Sequence, residues 1–294
     1  MNPIVGIGEV LWDVYPDGRK VAGGAPFNFA FHCHQLGHPA AIVSRVGDDD
    51  LGRELRARVR ALGLSDEYIQ TDYEHATGTV QVKLDAHAVP TYTITENVAW
   101  DHLAWDNKLG ALSKTCRAIC FGTLAAREEG TRFTVQRLLT VHRDHTLEKI
   151  VFDVNLRSDD VPEFVRWGVR KADWVKLNDD ELARLRDWLA DAGAPLEQLI
   201  DGPDTLIVTR GENGCFITGN DGGASEPGVR ANVVDTVGAG DAFTAALLCL
   251  HLEGKPMHEC ARFAVHYAAR VCEHPGGTPR IDRAEVERAA GCAP

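Results

Sequence analysis

The feature that most constrains the fold is an alternation: short apolar runs close on a polar residue and hand over to helical stretches. Residues 4–10 read as a buried strand; the Gly23-Gly24-Ala25-Pro26 break follows, and residues 27–36 then carry a helix ending near Gly37. Residues 40–46 form a second strand-like run, followed by the acidic Asp48-Asp49-Asp50 and a helical stretch at 51–62. Further on, residues 150–154 lead into Asn155, 174–177 into Asn178 and 206–209 into Arg210-Gly211. Strands separated by helices pair in parallel, so this pattern predicts an α/β fold with a ligand crevice beyond the strand C-termini. Asp13, Asn155, Asn178 and Thr209 fall at such ends, although any one of them alone is equally an ordinary turn or cap residue.

Residues 77–95 break the pattern. They lack helical periodicity and contain extended, β-branched pieces at 79–82 and 89–95, which together with residues 10–21 predict a small β lid inserted in one domain spanning residues 1–294. The glycine-rich 219–228 stretch reads as a turn or exposed connection. A length of 294 residues accommodates one large α/β unit with such an addition.

Charge narrows the partners. Against 31 basic side chains stand 43 acidic ones, a formal net charge of −12, which disfavours nucleic acid and anionic membrane but leaves room for an anion at a locally positive site. The apolar runs are too short to span a bilayer and the N-terminus has no signal-like pattern, so a cytoplasmic location is expected. Eight dispersed cysteines in mostly apolar contexts predict buried thiols. Cys116 and Cys120 have the spacing of one helix face without further ligands nearby, and His32, Cys33 and His34 diverge around a helix and suit packing or surface roles.

The densest local signal is Asp235-Thr236-Val237-Gly238-Ala239-Gly240-Asp241, followed by the apolar run 245–250. A Gly-Ala-Gly turn brings backbone amides together, and the helix after it adds unpaired N–H groups and the positive end of its dipole. That predicts an anion crown. By local chemistry Asp241 is either a helix-N-terminal carboxylate or a catalytic or metal-associated one.

The whole pattern resembles the C-terminal signature of the ribokinase-like (PfkB) carbohydrate kinases, and Gly23-Gly24-Ala25-Pro26-Phe27-Asn28 resembles the sugar-site signature of the same family. Between them, Phe152-Asp153-Val154-Asn155-Leu156-Arg157, Lys176-Leu177-Asn178-Asp179-Asp180-Glu181 and Val208-Thr209-Arg210-Gly211 extend the resemblance across nearly the whole chain. The tail at 271–279 is similar to that of bacterial fructokinases, except that Glu273 and His274 stand where that subgroup often has Thr and Arg. No Walker-type Gly-x-x-x-x-Gly-Lys-Ser/Thr is present.

The resemblance implies a three-layer αβα sandwich with a mostly parallel sheet and a β lid, often dimeric through the lid. It assigns Asp13, Gly24 and Asn28 to the acceptor sugar, with Arg157 at a substrate oxygen or phosphate, and makes Asp241 the base beside the Gly238, Ala239 and Gly240 amides. Thr209 and Gly211 become nucleotide contacts, while Asn178 and Glu181 organise Mg2+ and the phosphates of ATP through water. Asp235, with carbonyls near Cys272 and Gly277, becomes a K+ site. Asn178 and Glu181 are equally the two ends of a capping box. Fructose is the leading acceptor; 2-keto-3-deoxygluconate, ribose, another sugar or a nucleoside are alternatives, and so is a catalytically weak sugar-binding protein.

Overall fold

The computed structural model describes residues 2–84, 90–146, 148–157, 162–189 and 203–292. The first half comprises β1 (Ile4–Ile7), β2 (Leu11–Val14), β3 (Lys20–Gly23), α1 (Ala25–Gln35), β4 (Ala40–Gly47), α2 (Asp50–Ala61), β5 (Ile69–Asp72), β6 (Thr79–Leu84) and β7 (Pro90–Ile94). Then follow α3 (Asn107–Ser113), β8 (Ala118–Phe121), α4 (Glu129–His145), β9 (Lys149–Asp153), α5 (Pro162–Lys171), β10 (Trp174–Asn178), α6 (Asp179–Leu189) and β11 (Thr205–Thr209). The chain continues through β12 (Cys215–Gly219), β13 (Ala224–Glu226), α7 (Ala239–Leu252), α8 (Met257–Cys272) and α9 (Arg283–Ala290).

Nine strands form one sheet in the order β13-β12-β11-β10-β9-β8-β1-β4-β5, parallel from β11 to β5, with β12 and β13 antiparallel at one edge. A central parallel strand is buried on both faces, so its residues alternate between two cores rather than between core and water. Ile4, Cys120, Val151, Trp174 and Ile207 face α1, α7 and α8. Their neighbours Val5, Ile119, Phe152, Val175 and Val208 face α3, α4 and α5. Three layers result.

Asp153, the last residue of β9, and Lys176, midway along β10, follow Val151 and Trp174 by two residues, which puts both on the α7 side. A second sheet, ordered β3-β2-β6-β7, joins 11–23 with 79–84 and 90–94, residues 85–89 of the expected lid lying outside the described residues; Trp12 and Asp13 of β2 lie opposite Thr79 and Val80 of β6 in parallel register. Its inner face packs with α1 and α2 around Val10, Trp12, Phe27, Phe31, Leu55 and Val59.

Two local readings change. The 219–228 stretch is more than a turn: it contains the edge strand β13, whose three residues pair only with β12 and are too short to leave a periodic signal. Cys116 and Cys120 do not share a helix face, because Cys116 precedes β8 and Cys120 lies within it. Cys116 and Cys120 are both buried free thiols, and burial pushes the Cys116 thiol up to about 12.

Candidate active site

The crevice lies where the alternation placed it, beyond the C-terminal ends of the parallel strands. Gly238 begins its construction. It is the N-cap of α7 with φ 77°, a left-handed conformation that suits glycine, and no side chain caps the helix behind it. The start of a fourteen-residue helix therefore presents amides and its dipole to the crevice. Ala239 is partly turned away, its amide lying 3.3 Å from the Thr236 carbonyl.

Asp241 stands in the first turn of α7. Its Oδ2 accepts a hydrogen bond from Asn28 Nδ2 at 2.8 Å, joining residues 213 positions apart in sequence. Asn28 is buried on α1, yet its Oδ1 has no protein partner. A buried acceptor without a donor is costly and calls for one from elsewhere, such as a ligand hydroxyl. Burial and the neighbouring Asp153 push Asp241 up to about 6, against the Asn28 hydrogen bond and the Lys176 and Arg157 cations.

Beneath Asp241 lies a buried ion pair. Lys176 Nζ is 3.0 and 3.1 Å from the two oxygens of Asp153, and Thr244 Oγ1 of α7 is 3.2 Å from Asp153 Oδ2. A Cβ on Gly240 would stand 3.0 Å from Lys176 Nζ, so the ammonium sits directly under the Gly-Ala-Gly turn. Glu9, at the end of the first strand run, is 4% exposed, and its Oε1 accepts the Ala25 amide at 2.9 Å, capping α1 where Gly24 has no side chain to do so. Burial pushes Glu9 up to about 7. Glu9, Asp153, Asn155 and Asp241 share a narrow cleft with Ala25 and Gly122. Asn155 holds a φ of 39° there, a conformation Asn tolerates better than most residues.

Asp13 sits on β2 against the crevice, pushed up to about 6 by burial and by Asp235, with Arg157 drawing it back. Gly24 has φ 116°, and a Cβ there would meet the Glu9 carbonyl at 2.5 Å. Arg157 is exposed at the mouth, and its charge bears on Glu9, Asp13 and Asp241 together. Asp13, Asn28, Arg157 and Asp241 are thus one electrostatic unit.

Asn178 and Glu181 form the capping box at the start of α6. Asn178 Oδ1 accepts the Glu181 amide at 2.8 Å, and Glu181 Oε2 accepts the Asn178 amide at 2.9 Å. Glu181 Oε1 also accepts the Leu156 amide at 2.8 Å, tying this helix to the segment that carries Arg157. Each carboxylate oxygen keeps a second lone pair, which suits contact with a hydrated cation. Thr209 ends β11 with its hydroxyl 3.4 Å from the Leu177 carbonyl, and Gly211 opens an exposed turn at φ 51°.

Asp235 is engaged by backbone: Oδ1 accepts the Val237 amide at 3.0 Å and Oδ2 the Gly276 amide at 2.8 Å. The Cys272 carbonyl accepts the Val234 and Asp235 amides, and the Gly277 carbonyl lies 3.0 Å from His32 Nε2. Glu9, Asp153 and Lys176 went unassigned in the sequence. Lys176 carried a signal, a lysine inside an otherwise apolar strand run; Glu9 and Asp153 were each adjacent to residues already singled out.

A model of the pfkB family carbohydrate kinases matches residues 14–283. The chain belongs to that family. Rice fructokinase-2 is 30% identical over 266 residues, covering 84% of this chain and 79% of the relative. Aminoimidazole riboside kinase of Salmonella typhimurium is 28% identical, covering 84% and 80%. An uncharacterized sugar kinase of Pyrococcus horikoshii, whose crystal structure shares 27% identity, superposes with a TM-score of 0.83 over 97% of this chain and 96% of its own. The two sheets and the crevice described above are therefore those of a ribokinase-like carbohydrate kinase.

Proposed function

We propose that this PfkB-family kinase transfers the γ-phosphoryl group of ATP to a sugar hydroxyl, with fructose, converted to fructose 6-phosphate, as the leading acceptor. The observation that carries the reading is the Asn28–Asp241 hydrogen bond, which brings the sugar-signature helix and the anion-binding turn to one point. The Pyrococcus horikoshii relative has been crystallised in complex with ATP, which supports the choice of nucleotide. A hydroxyl of the acceptor vicinal to the reacting one that donates to Asn28 Oδ1 fills the orphaned acceptor and leaves the reacting hydroxyl's own proton directed at Asp241. Asp13 accepts from a neighbouring hydroxyl, and the α7 amides neutralise the transferring phosphoryl. As the new O–P bond forms and the bond to the ADP oxygen breaks, Asp241 takes the hydroxyl proton.

Among the described residues no cluster of three or more side chains could hold a metal ion unaided. This suits Mg2+, which is usually held by one or two carboxylates, several waters and the phosphates of its nucleotide. Glu181 and Asn178 would hold it through water, and when bound it spreads the negative charge of the phosphates. The Asp235 region is the place to look for a K+ effect, and the four-stranded sheet is the surface through which we expect the chain to dimerise in the cytoplasm.

A coupled ADP-release screen against fructose, ribose, 2-keto-3-deoxygluconate and adenosine tests the reading, with kcat/KM as the measure of preference. Fructose is expected to lead. A clear preference for another acceptor removes the fructose assignment and leaves the kinase; the riboside kinase relative keeps a nucleoside in that panel. Saturable sugar binding without turnover would make the chain a binding protein. Closure of the small sheet over the crevice would exclude water from the transfer. Backbone hydrogen exchange in 11–23 and 79–84 should therefore slow with acceptor and nucleotide together, and unchanged exchange in both segments counts against closure.

A further inference from the structure

The Gly277 carbonyl leads from the crevice into a buried chain of polar side chains. His32 lies one helical turn after Asn28 on α1 and is fully buried. Its Nε2 is 3.0 Å from the Gly277 carbonyl oxygen and its Nδ1 is 3.1 Å from the Tyr267 hydroxyl of α8. Gln35 Nε2 donates to that hydroxyl at 2.7 Å and to the Pro279 carbonyl at 3.3 Å, and Gln35 Oε1 accepts the Ile281 amide at 2.9 Å.

Elementary chemistry fixes the proton order. A carbonyl oxygen only accepts, so His32 Nε2 carries a hydrogen. A fully buried ring whose partners are a carbonyl and a hydroxyl is held neutral, so with the hydrogen on Nε2 the Nδ1 atom is bare and must accept. The Tyr267 hydroxyl then gives its hydrogen to Nδ1 and receives one from Gln35. A single arrangement satisfies every member, the condition under which a buried polar network specifies one geometry.

On its other side the same glycine touches both halves of the site. A Cβ on Gly277 would stand 2.7 Å from Asn28 Nδ2, and a Cβ on Gly238 would stand 2.5 Å from Gly277 Cα. The Gly277 backbone is a spacer between the acceptor-side Asn28 and the cap of α7.

We propose that His32 is a positioning residue: through the Gly277 carbonyl it fixes the spacing between Asn28 and the Gly238 turn, and so couples acceptor binding to nucleotide binding. The inference rests on Asn28 and Gly238 serving acceptor and phosphates as argued above. Its energetic content is a coupling between two sites, which is reciprocal.

The test measures affinity for a non-hydrolysable ATP analogue with Mg2+, with and without saturating fructose or the panel sugar of highest turnover. Wild type, His32→Leu and His32→Gln are compared. Wild type is expected to show mutual tightening of about fivefold or more. His32→Leu should reduce that factor to about one while leaving each separate affinity within about threefold, and His32→Gln, which keeps an N–H donor, should restore part of it. Independently of ligands, 15N NMR of labelled histidine should find His32 with Nε2 protonated and Nδ1 bare. Should His32→Leu not fold, Tyr267→Phe, which deletes the donor to Nδ1, carries the same measurement. Full coupling in a folded variant, absence of coupling in wild type, or a proton on Nδ1 overturns the proposal. Failure of wild type to bind either ligand instead overturns the assignment of the site, a distinguishable result.

Discussion

Asp235 and Asp241 bracket one turn, and the fold treats their carboxylates in opposite ways. Asp235 is closed by backbone, with one oxygen on the Val237 amide in an Asx turn and the other on the Gly276 amide of the loop after α8. Asp241 accepts a side-chain N–H from Asn28 and is otherwise set among charges: Asp153 below it, with Lys176 and Arg157 opposing. Backbone amides fix an anion in place. Burial, together with opposed neighbouring charges, leaves an anion whose proton affinity sits near neutrality, where a general base is useful. The comparison teaches that residue type within a motif does not assign a role; the kind of partner does.

The largest expected effect breaks the comparison at Asp241. Asp241→Asn keeps the shape and removes the proton acceptor, so kcat should fall by about 10²- to 10⁴-fold with nucleotide affinity little changed. The stability sign runs the other way. Asp241 holds its proton more tightly in the folded chain, about 6 against an ordinary 3.8, so its ionisation lowers stability as pH rises through that window. At pH 7 the variant should melt no lower than wild type. Steady-state kinetics beside thermal unfolding checks both, and a folded variant keeping more than about a tenth of wild-type kcat would remove Asp241 as the base.

This division was only half legible in the sequence. The parallel sheet could be read because its buried strands leave apolar runs that end in polar residues, and Asp49, in the acidic stretch after β4, caps α2 by accepting the Gly52 amide at 2.7 Å. The Gly-Ala-Gly turn and Asn28 could be read because their chemistry is local. Lys176 and Glu9 could not be assigned. Lys176 acquires meaning only when strand alternation puts it on the α7 side, and Glu9 when β1 and α1 have packed so that it caps a helix beginning sixteen residues later. The hydrogen bonds that tie up Asp235 also depend partly on a distant loop: the Gly276 amide lies 41 residues away.

The second prediction sharpens the Asp241 side. Lys176→Met removes the cation of a buried pair and leaves Asp153 uncompensated beside Asp241. Breaking such a pair costs about 3–5 kcal/mol. With Lys176 no longer lowering it, the Asp241 carboxyl should also bind its proton more tightly, moving the acidic limb of the kcat–pH profile to higher pH. Adding Asp153→Leu removes the stranded charge and should recover most of the stability while pulling the limb back down, since Asp153 is itself a cause of the raised value. A limb that stays in place in the folded single variant would show that Lys176 does not act on the base.

The smallest effect is expected from making at Asp235 the substitution made at Asp241. An Asn side chain has one carbonyl oxygen where the carboxylate has two, so at Asp235 it can accept from the Val237 amide or the Gly276 amide but not both. Whichever amide loses its acceptor then faces the new NH2 group, a donor opposite a donor in a partly buried turn. Leaving such a group unsatisfied costs about 1–3 kcal/mol, so the melting temperature should fall although the Asp241 carboxylate is untouched and the lost Asp235 charge only eases the ionisation of Asp13. The chemical step has no direct need of Asp235, and kcat should stay within about tenfold of wild type, short of the loss expected from removing a general base. Titrating KCl in wild type and variant separates this from a cation role: a structural tie predicts the same salt response in both, whereas loss of K+ activation only in the variant would give Asp235 a second function. A variant that keeps its melting temperature and loses kcat as Asp241→Asn does would show that the two carboxylates are not divided as their partners suggest.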